Sequence, residues 1–180
     1  MGSLDRAFTG GHDALLDEAY RIAIPRNLRT ILDVRTSQEK NKIVLTKGPD
    51  PCIRLFAFDD FEKRMEHILM ADPDTADGRE IRRRNIAHLC ELDKQGRILI
   101  PAELRTHAEL SKDCKVVGMF DYIEIWDKDR HLSRECSEEK YQEISERFAI
   151  LKKEANNAGN SAYPGAAGRD PAVSGAEGHG

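Results

Sequence analysis

Leu92-Asp93-Lys94-Gln95-Gly96-Arg97-Ile98-Leu99-Ile100-Pro101-Ala102-Glu103-Leu104-Arg105 is the stretch that decides the fold, because the chain carries it twice. Its partner is Leu16-Asp17-Glu18-Ala19-Tyr20-Arg21-Ile22-Ala23-Ile24-Pro25-Arg26-Asn27-Leu28-Arg29, 76 residues earlier. Leu, Asp, Arg, Ile, Ile, Pro, Leu and Arg agree in order, eight of fourteen positions, and Thr30 matches Thr106 just beyond. Self-similarity at a fixed offset is the mark of a duplicated structural unit. Within the second copy, Asp93–Gly96 reads as a tight turn, Asp favouring the turn start and Gly supplying a positive φ. Arg97-Ile98-Leu99-Ile100 then places Ile98 and Ile100 on one strand face and Arg97 on the other. Pro101 keeps Ile100 extended and suits the start of a short helix over Ala102–Ala108, with Leu104 inward. The first copy has Tyr20 where the second has Gly96. A left-handed Tyr20 costs roughly 1–2 kcal/mol, so that turn is either strained or differently shaped.

Outward from the repeat, the halves remain parallel. Ile43–Leu45 and Ile53–Phe58 are β-prone runs separated by Gly48-Pro49-Asp50-Pro51, and Val116–Gly118 with Tyr122–Trp126 repeats the pair. Asp59 or Asp60 is placed to cap a helix to Met70, with Phe61, Met65 and Ile68 at helical spacing. Asp127–Arg134 reads as a less apolar counterpart, and Gly78–Leu89 as a linking helix. Ser137–Glu154 reads as a further helix, striped by Tyr141, Ile144, Phe148 and Leu151. From Asn156 the composition collapses to small and polar residues, as expected of a disordered tail.

With 180 residues, 39% hydrophobic and 33% charged, the chain can bury a core under a well-charged surface. No window approaches eighteen apolar residues, and Met1–Phe8 lacks a secretory signal, so a cytoplasmic protein without a membrane partner is expected. Cys52, Cys90, Cys114 and Cys136 form no C-x-x-C pair and read as reduced thiols. His88-x-Cys90 alone makes no metal site, and no cofactor is expected. The chain has no G-x-S-x-G, Walker, G-x-G-x-x-G or H-E-x-x-H motif, and its six histidines are scattered, so the sequence reads as a non-enzyme without a small-molecule substrate. The net charge of −4 counts against nucleic-acid binding. Phosphates, however, respond to charge within a Debye length, about 8–10 Å, rather than to the total.

Asp17-x-x-x-Arg21 and Asp93-x-x-x-Arg97, each followed by Ile-x-Ile-Pro, resemble the paired DxxxR motifs of the MraZ family. Phe8-Thr9-Gly10 resembles that family's N-terminal Phe-x-Gly, and Lys115–Trp126 its second-half signature ending Glu124-Ile125-Trp126. The likeness runs from about Phe8 to about Phe148 and is closest in the second half, while Tyr20 departs from the pattern. The resemblance implies an α+β fold: two tandem SpoVT–AbrB-type half-units forming a small pseudo-two-fold barrel with flanking helices. The segments would be a first repeat over 8–70, linker helix 71–89, second repeat 90–134, C-terminal helix 135–154 and tail 155–180. It also implies a sequence-specific transcriptional regulator of the bacterial division and cell-wall gene cluster. Such a protein would bind short G-rich direct repeats in promoter DNA as a ring homo-oligomer, in cytoplasm and nucleoid.

The DNA-contacting position of that motif falls on Arg21 and Arg97. An exposed arginine fork can take guanine O6 and N7 or straddle a phosphate. Arg26, Arg29, Lys94 and Arg105 are candidate phosphate contacts, which position without specifying. Asp17 and Asp93 would orient the arginines; the same pairs also read as salt bridges bracing a turn, and the two roles are compatible. Each copy, Asp17–Arg29 or Asp93–Arg105, carries three cations against two carboxylates, a net of only +1. Useful affinity would then require several motifs on several DNA repeats, where linkage adds about 10²–10⁴-fold. The arginines at 79, 82, 83 and 84 read as a solvated face or a subunit contact. The competing reading is an assembly protein of the same fold that does not bind DNA.

Overall fold

The computed structural model describes residues 3–36, 41–134 and 136–157. After a 3-10 turn, Ser3–Arg6, the first copy runs β1 (Gly11–Leu15), β2 (Arg21–Ala23), α1 (Arg26–Arg35), β3 (Lys42–Lys47), β4 (Ile53–Ala57) and α2 (Phe58–Leu69). After α3 (Ala76–Arg84), the second copy runs β5 (Ala87–Glu91), β6 (Arg97–Leu99), α4 (Ala102–Ala108), β7 (Asp113–Gly118), β8 (Ile123–Asp127) and α5 (Lys128–Ser133). Both copies belong to one compact unit. A second unit contains α6 (Glu138–Asn157), whose first turn is closed by the Ser137 carbonyl accepting from Tyr141 N–H. The tail from residue 158 lies outside the described residues.

The copies are interleaved. A six-stranded antiparallel sheet has the order β1–β7–β8–β4–β3–β5, so each copy's first strand adds to the other copy's hairpin. The centre is the β4–β8 ladder, where Arg54 faces Glu124. A separate two-stranded ribbon joins β2 to β6 with Ile22 opposite Ile98, Arg21 opposite Leu99 and Ala23 opposite Arg97. Exchanging the copies leaves this register unchanged, because 22 and 98, 21 and 97, and 23 and 99 are each 76 apart. The ribbon is thus a local two-fold.

Two expectations change. The sheet is open: its edges β1 and β5 are not hydrogen-bonded to each other, and each is followed by a turn into the ribbon. The antiparallel α+β architecture stands; a closed barrel does not. The linking helix ends at Arg84, with Asn85 as its cap, and residues 87–89 are strand because Ala87–Glu91 pairs with Lys42–Thr46 of β3. The α3 start is set by Thr75, whose hydroxyl accepts from Gly78 N–H, and α2 begins one residue before Asp59 with no side-chain cap.

Ile22, Ile24, Leu28 and Leu32 of the first copy are buried against Ile98, Ile100, Leu104 and Ala108 of the second, over sheet residues such as Leu45, Leu55, Val116 and Ile125. Each fully buried side chain of this size is worth about 1.5–3 kcal/mol. Phe8 is fully buried and forms a β-bridge with Phe120, tying the N-terminal segment to the β7–β8 connection. Val44, Phe56 and Phe61 cluster separately with Phe58 and Tyr122.

Candidate nucleic-acid interface

Pairing β2 with β6 brings the two Asp-x-x-x-Arg turns into one assembly. Alternation along the ribbon sends Ile22 and Ile98 into the core and leaves Arg21, Ala23, Arg97 and Leu99 on the outer face. Each turn is closed in the same way. Asp17 N–H donates to the Arg21 carbonyl (2.9 Å) and Tyr20 N–H to the Asp17 carbonyl (2.8 Å); Asp93, Arg97 and Gly96 repeat this at 2.8 Å each. The aspartate carboxylate then takes two donors from its own arginine: backbone N–H (2.8 Å at Arg21, 2.9 Å at Arg97) and Nε (3.2 and 2.9 Å). The backbone N–H of the arginine is the chief reason that both carboxyls titrate below the ordinary aspartate range. Arg97 Nη1 also lies 3.5 Å from Asp17 Oδ2, linking the motifs across the ribbon. Among the described residues, both Nη atoms of Arg21 and Nη2 of Arg97 have no hydrogen-bonding partner.

The turns also lock onto the opposite copy. The Gly96 carbonyl accepts from Ile24 N–H and the Tyr20 carbonyl from Ile100 N–H, each at 2.9 Å. Tyr20 adopts the same left-handed conformation as Gly96, φ +60° against +74°, so the first turn keeps its shape and bears the strain. Its ring is half-exposed and covered by the Arg105 guanidinium, 3.7 Å from the ring centroid. Arg105 Nη1 also donates to the Ile100 carbonyl. In the other copy, Arg29 fills the equivalent place: a Cβ on Gly96 would stand 2.3–2.6 Å from its guanidinium and Cδ. Arg29 therefore lies over a glycine and Arg105 over a tyrosine.

Of the four expected phosphate contacts, Arg26 and Lys94 are exposed, with side chains unpaired among the described residues, whereas Arg29 and Arg105 are half-buried against the turns. A cavity of about 220 Å³ opens beside Gly96, lined by Arg29, Asp33, Asn41, Leu92, Asp93 and Lys94. The cluster on α3 is internally occupied: Arg83 and Arg84 pair with Glu80, Arg82 donates to the Leu69 and Ala71 carbonyls, and Arg79 to that of Asp74.

A second repeated pair escaped the sequence reading. His12 and His88 are also 76 apart, as are Asn27 and Glu103. His12 Nε2 is hydrogen-bonded to Asn27 Nδ2 at 3.2 Å, tying edge strand β1 to α1, whereas His88 Nε2 lies 3.6 Å from Glu103 Oε2, close to α4 but without a hydrogen bond. Extending the alignment four residues upstream of Leu16 and Leu92 exposes the match. Of the thiols, Cys52 and Cys114 are buried, and desolvation pushes their pKa values up to about 12 and about 11, which makes them inert at neutral pH.

A duplicated, strand-exchanged α+β unit that displays paired Asp–Arg turns on a β-ribbon is the class that fold and site define. The family model described as "MraZ protein, putative antitoxin-like" matches residues 85–151. The protein of Heliobacterium modesticaldum called "Transcriptional regulator MraZ" is 37% identical over 145 residues, 78% of this chain and 96% of that one. Its namesake from Pediococcus pentosaceus is 34% identical over 142 residues, 77% and 94% respectively. The chain belongs to the MraZ family of transcriptional regulators.

Proposed function

We propose that the chain binds double-stranded DNA sequence-specifically through the outer face of the β2–β6 ribbon, with Arg21 and Arg97 reading base edges. The observation that carries this is the meeting of both Asp–Arg turns on one ribbon, each aspartate holding the Nε of its own arginine. A two-stranded ribbon fits the major groove, and an arginine fork matches guanine O6 and N7. Asp17 and Asp93 orient the arginines; Lys94 and Arg26 face the phosphates with Arg29 behind them, and Arg105 is a lesser phosphate contact beside the other turn. The sites are short G-rich direct repeats in the promoter of a division and cell-wall gene cluster. A homo-oligomeric ring would engage several of these repeats, placing the protein in cytoplasm and nucleoid. The two repeats, over 8–70 and 90–134, act as one reading head.

The test is a titration of labelled duplexes with one or several G-rich repeats across a salt series. Arg21→Ala and Arg97→Ala are each expected to weaken the G-rich duplex by roughly 1–3 kcal/mol and to flatten discrimination against changed guanines. Unchanged affinity and specificity in both variants would leave the alternative of an assembly protein that does not bind DNA.

A further inference from the structure

Strand exchange redistributes charge along the ribbon. The turn of the second copy meets α1 of the first: Ile24 N–H binds the Gly96 carbonyl, Arg29 lies over Gly96, and Arg29 and Lys94 line one cavity. That end therefore gathers Lys94, Arg97, Arg26 and Arg29 against Asp93, a net of +3. The other end joins the first turn to α4 and gathers Arg21 and Arg105 against Asp17, Glu18 and Glu103, a net of −1. Lys47, paired with Glu103, brings it only to neutral. Asp33 lines the same cavity and lowers the Gly96 end to +2, while its counterpart Glu109 is paired with Arg130. The difference also lies in what can reach a phosphate. Lys94 and Arg26 are exposed and unpaired among the described residues, while their counterparts are Glu18 and Ala102.

We infer that the ribbon engages DNA in one orientation, anchored on phosphate at its Gly96 end by Lys94 and Arg26 and not at its Tyr20 end. This rests on the DNA-binding reading above. A reading head with a true two-fold would suit a palindrome. A head with one cationic end discriminates the two directions of the duplex, because only one end gains from releasing counterions. At the Tyr20 end Arg21 is left to read bases with little phosphate support, and Leu99, 58% exposed and opposite Arg21, adds an apolar contact of the kind that suits a thymine methyl.

The test uses the full chain and duplexes that it enriches from a random-sequence pool, with affinity followed across a salt series. Lys94→Ala with Arg26→Ala is expected to lower the slope of log affinity against log salt by about 1.8, at about 0.9 per phosphate contact. It should weaken enriched and scrambled duplexes alike, on the order of tenfold, and Lys94→Arg should keep the slope. Glu18→Gln, at the opposite end, should leave the slope unchanged. Glu18→Lys with Ala102→Arg copies the cationic end onto the other side and should steepen the slope and shift enrichment toward palindromes. Melting curves confirm that each variant folds. The inference is overturned if the wild-type chain enriches palindromes, or if Glu18→Gln strengthens binding as much as Lys94→Ala weakens it. Failure of the DNA reading is distinct: no duplex is enriched, or Arg21→Ala and Arg97→Ala bind as the wild type does.

Discussion

Replacing Tyr20 by glycine should cost almost nothing, while replacing Gly96 by alanine should cost more than an ordinary turn substitution. Tyr20 sits at φ +60°, and releasing a side chain from that region recovers roughly 1–2 kcal/mol. Against this stands the loss of the Arg105–ring contact at 3.7 Å, worth about 0.5–1 kcal/mol at a half-exposed site. The two nearly cancel, so Tyr20→Gly should fall within about 1 kcal/mol of wild type. Gly96→Ala has no such offset. It meets the same backbone cost, and its Cβ would lie 2.3 Å from Arg29 Nη1, so the guanidinium must swing away. Because the far end of a flexible side chain yields, the total should stay near 1–2 kcal/mol. Urea unfolding at fixed protomer concentration measures both, and a double-mutant cycle of Tyr20→Gly with Arg105→Ala isolates the stacking term at about 0.5–1 kcal/mol. A loss above about 2 kcal/mol for Tyr20→Gly, or zero coupling to Arg105, would refute the compensation.

Two further outcomes follow from buried and surface charge. Glu124 is buried, accepts from Trp126 Nε1 (2.9 Å) and faces Arg54 at 3.7 Å in the centre of the sheet, so Arg54→Ala strands a carboxylate and should destabilise by about 2–4 kcal/mol in thermal or urea unfolding, clearly more than Glu124→Gln with Arg54→Met together. Asp13 is held down to a pKa of about 2 by Lys115 and Lys128, and Asp17 and Asp93 are lowered by their arginines. Carboxyls depressed in the folded state stabilise above their ordinary pKa, so that contribution should be complete at neutral pH and be lost as pH falls from about 4 toward about 2. An acid unfolding midpoint that does not move in Asp13→Asn would contradict it.

What the sequence made legible was local. The turns, the Ile-x-Ile-Pro strands, the helix after Pro101 and both later hairpins depend on neighbours a few residues away, and they appear within three residues of their expected places, β7 starting at Asp113 rather than Val116. The exchange of strands was not legible, because β1 and β5 are half-polar edge strands whose partners, β7 and β3, lie about 100 and 45 residues distant. The β5 residues carry no β-branched side chains, which is why Ala87–Leu89 reads as helix until Val44, Leu45 and Thr46 are known to pair with it. At the site, Arg21 and Arg97 with their aspartates were visible as a spacing. The cover of Arg29 over Gly96 and of Arg105 over Tyr20 was not, since each joins one copy's helix to the other copy's turn.

The same exchange explains which positions the copies share. Ile22, Ile24 and Leu28 and their equivalents line the inside of the ribbon, where each copy packs on the other, so a change in one must fit both. Glu18 against Lys94, Ala23 against Leu99 and Arg26 against Ala102 all differ, and most of these side chains are exposed. Counted along the chain, the copies are electrically identical at +1 each. Counted along the ribbon, the ends are unequal, because turn and helix segments from different copies share an end. A duplicated unit that exchanges elements can thus keep a symmetric core while its surface becomes directional. The net charge of −4 argues against DNA only while charge is averaged over the chain. At the Gly96 end Lys94, Arg97, Arg26 and Arg29 outnumber Asp93 and Asp33, and a phosphate responds to such a local set rather than to the total.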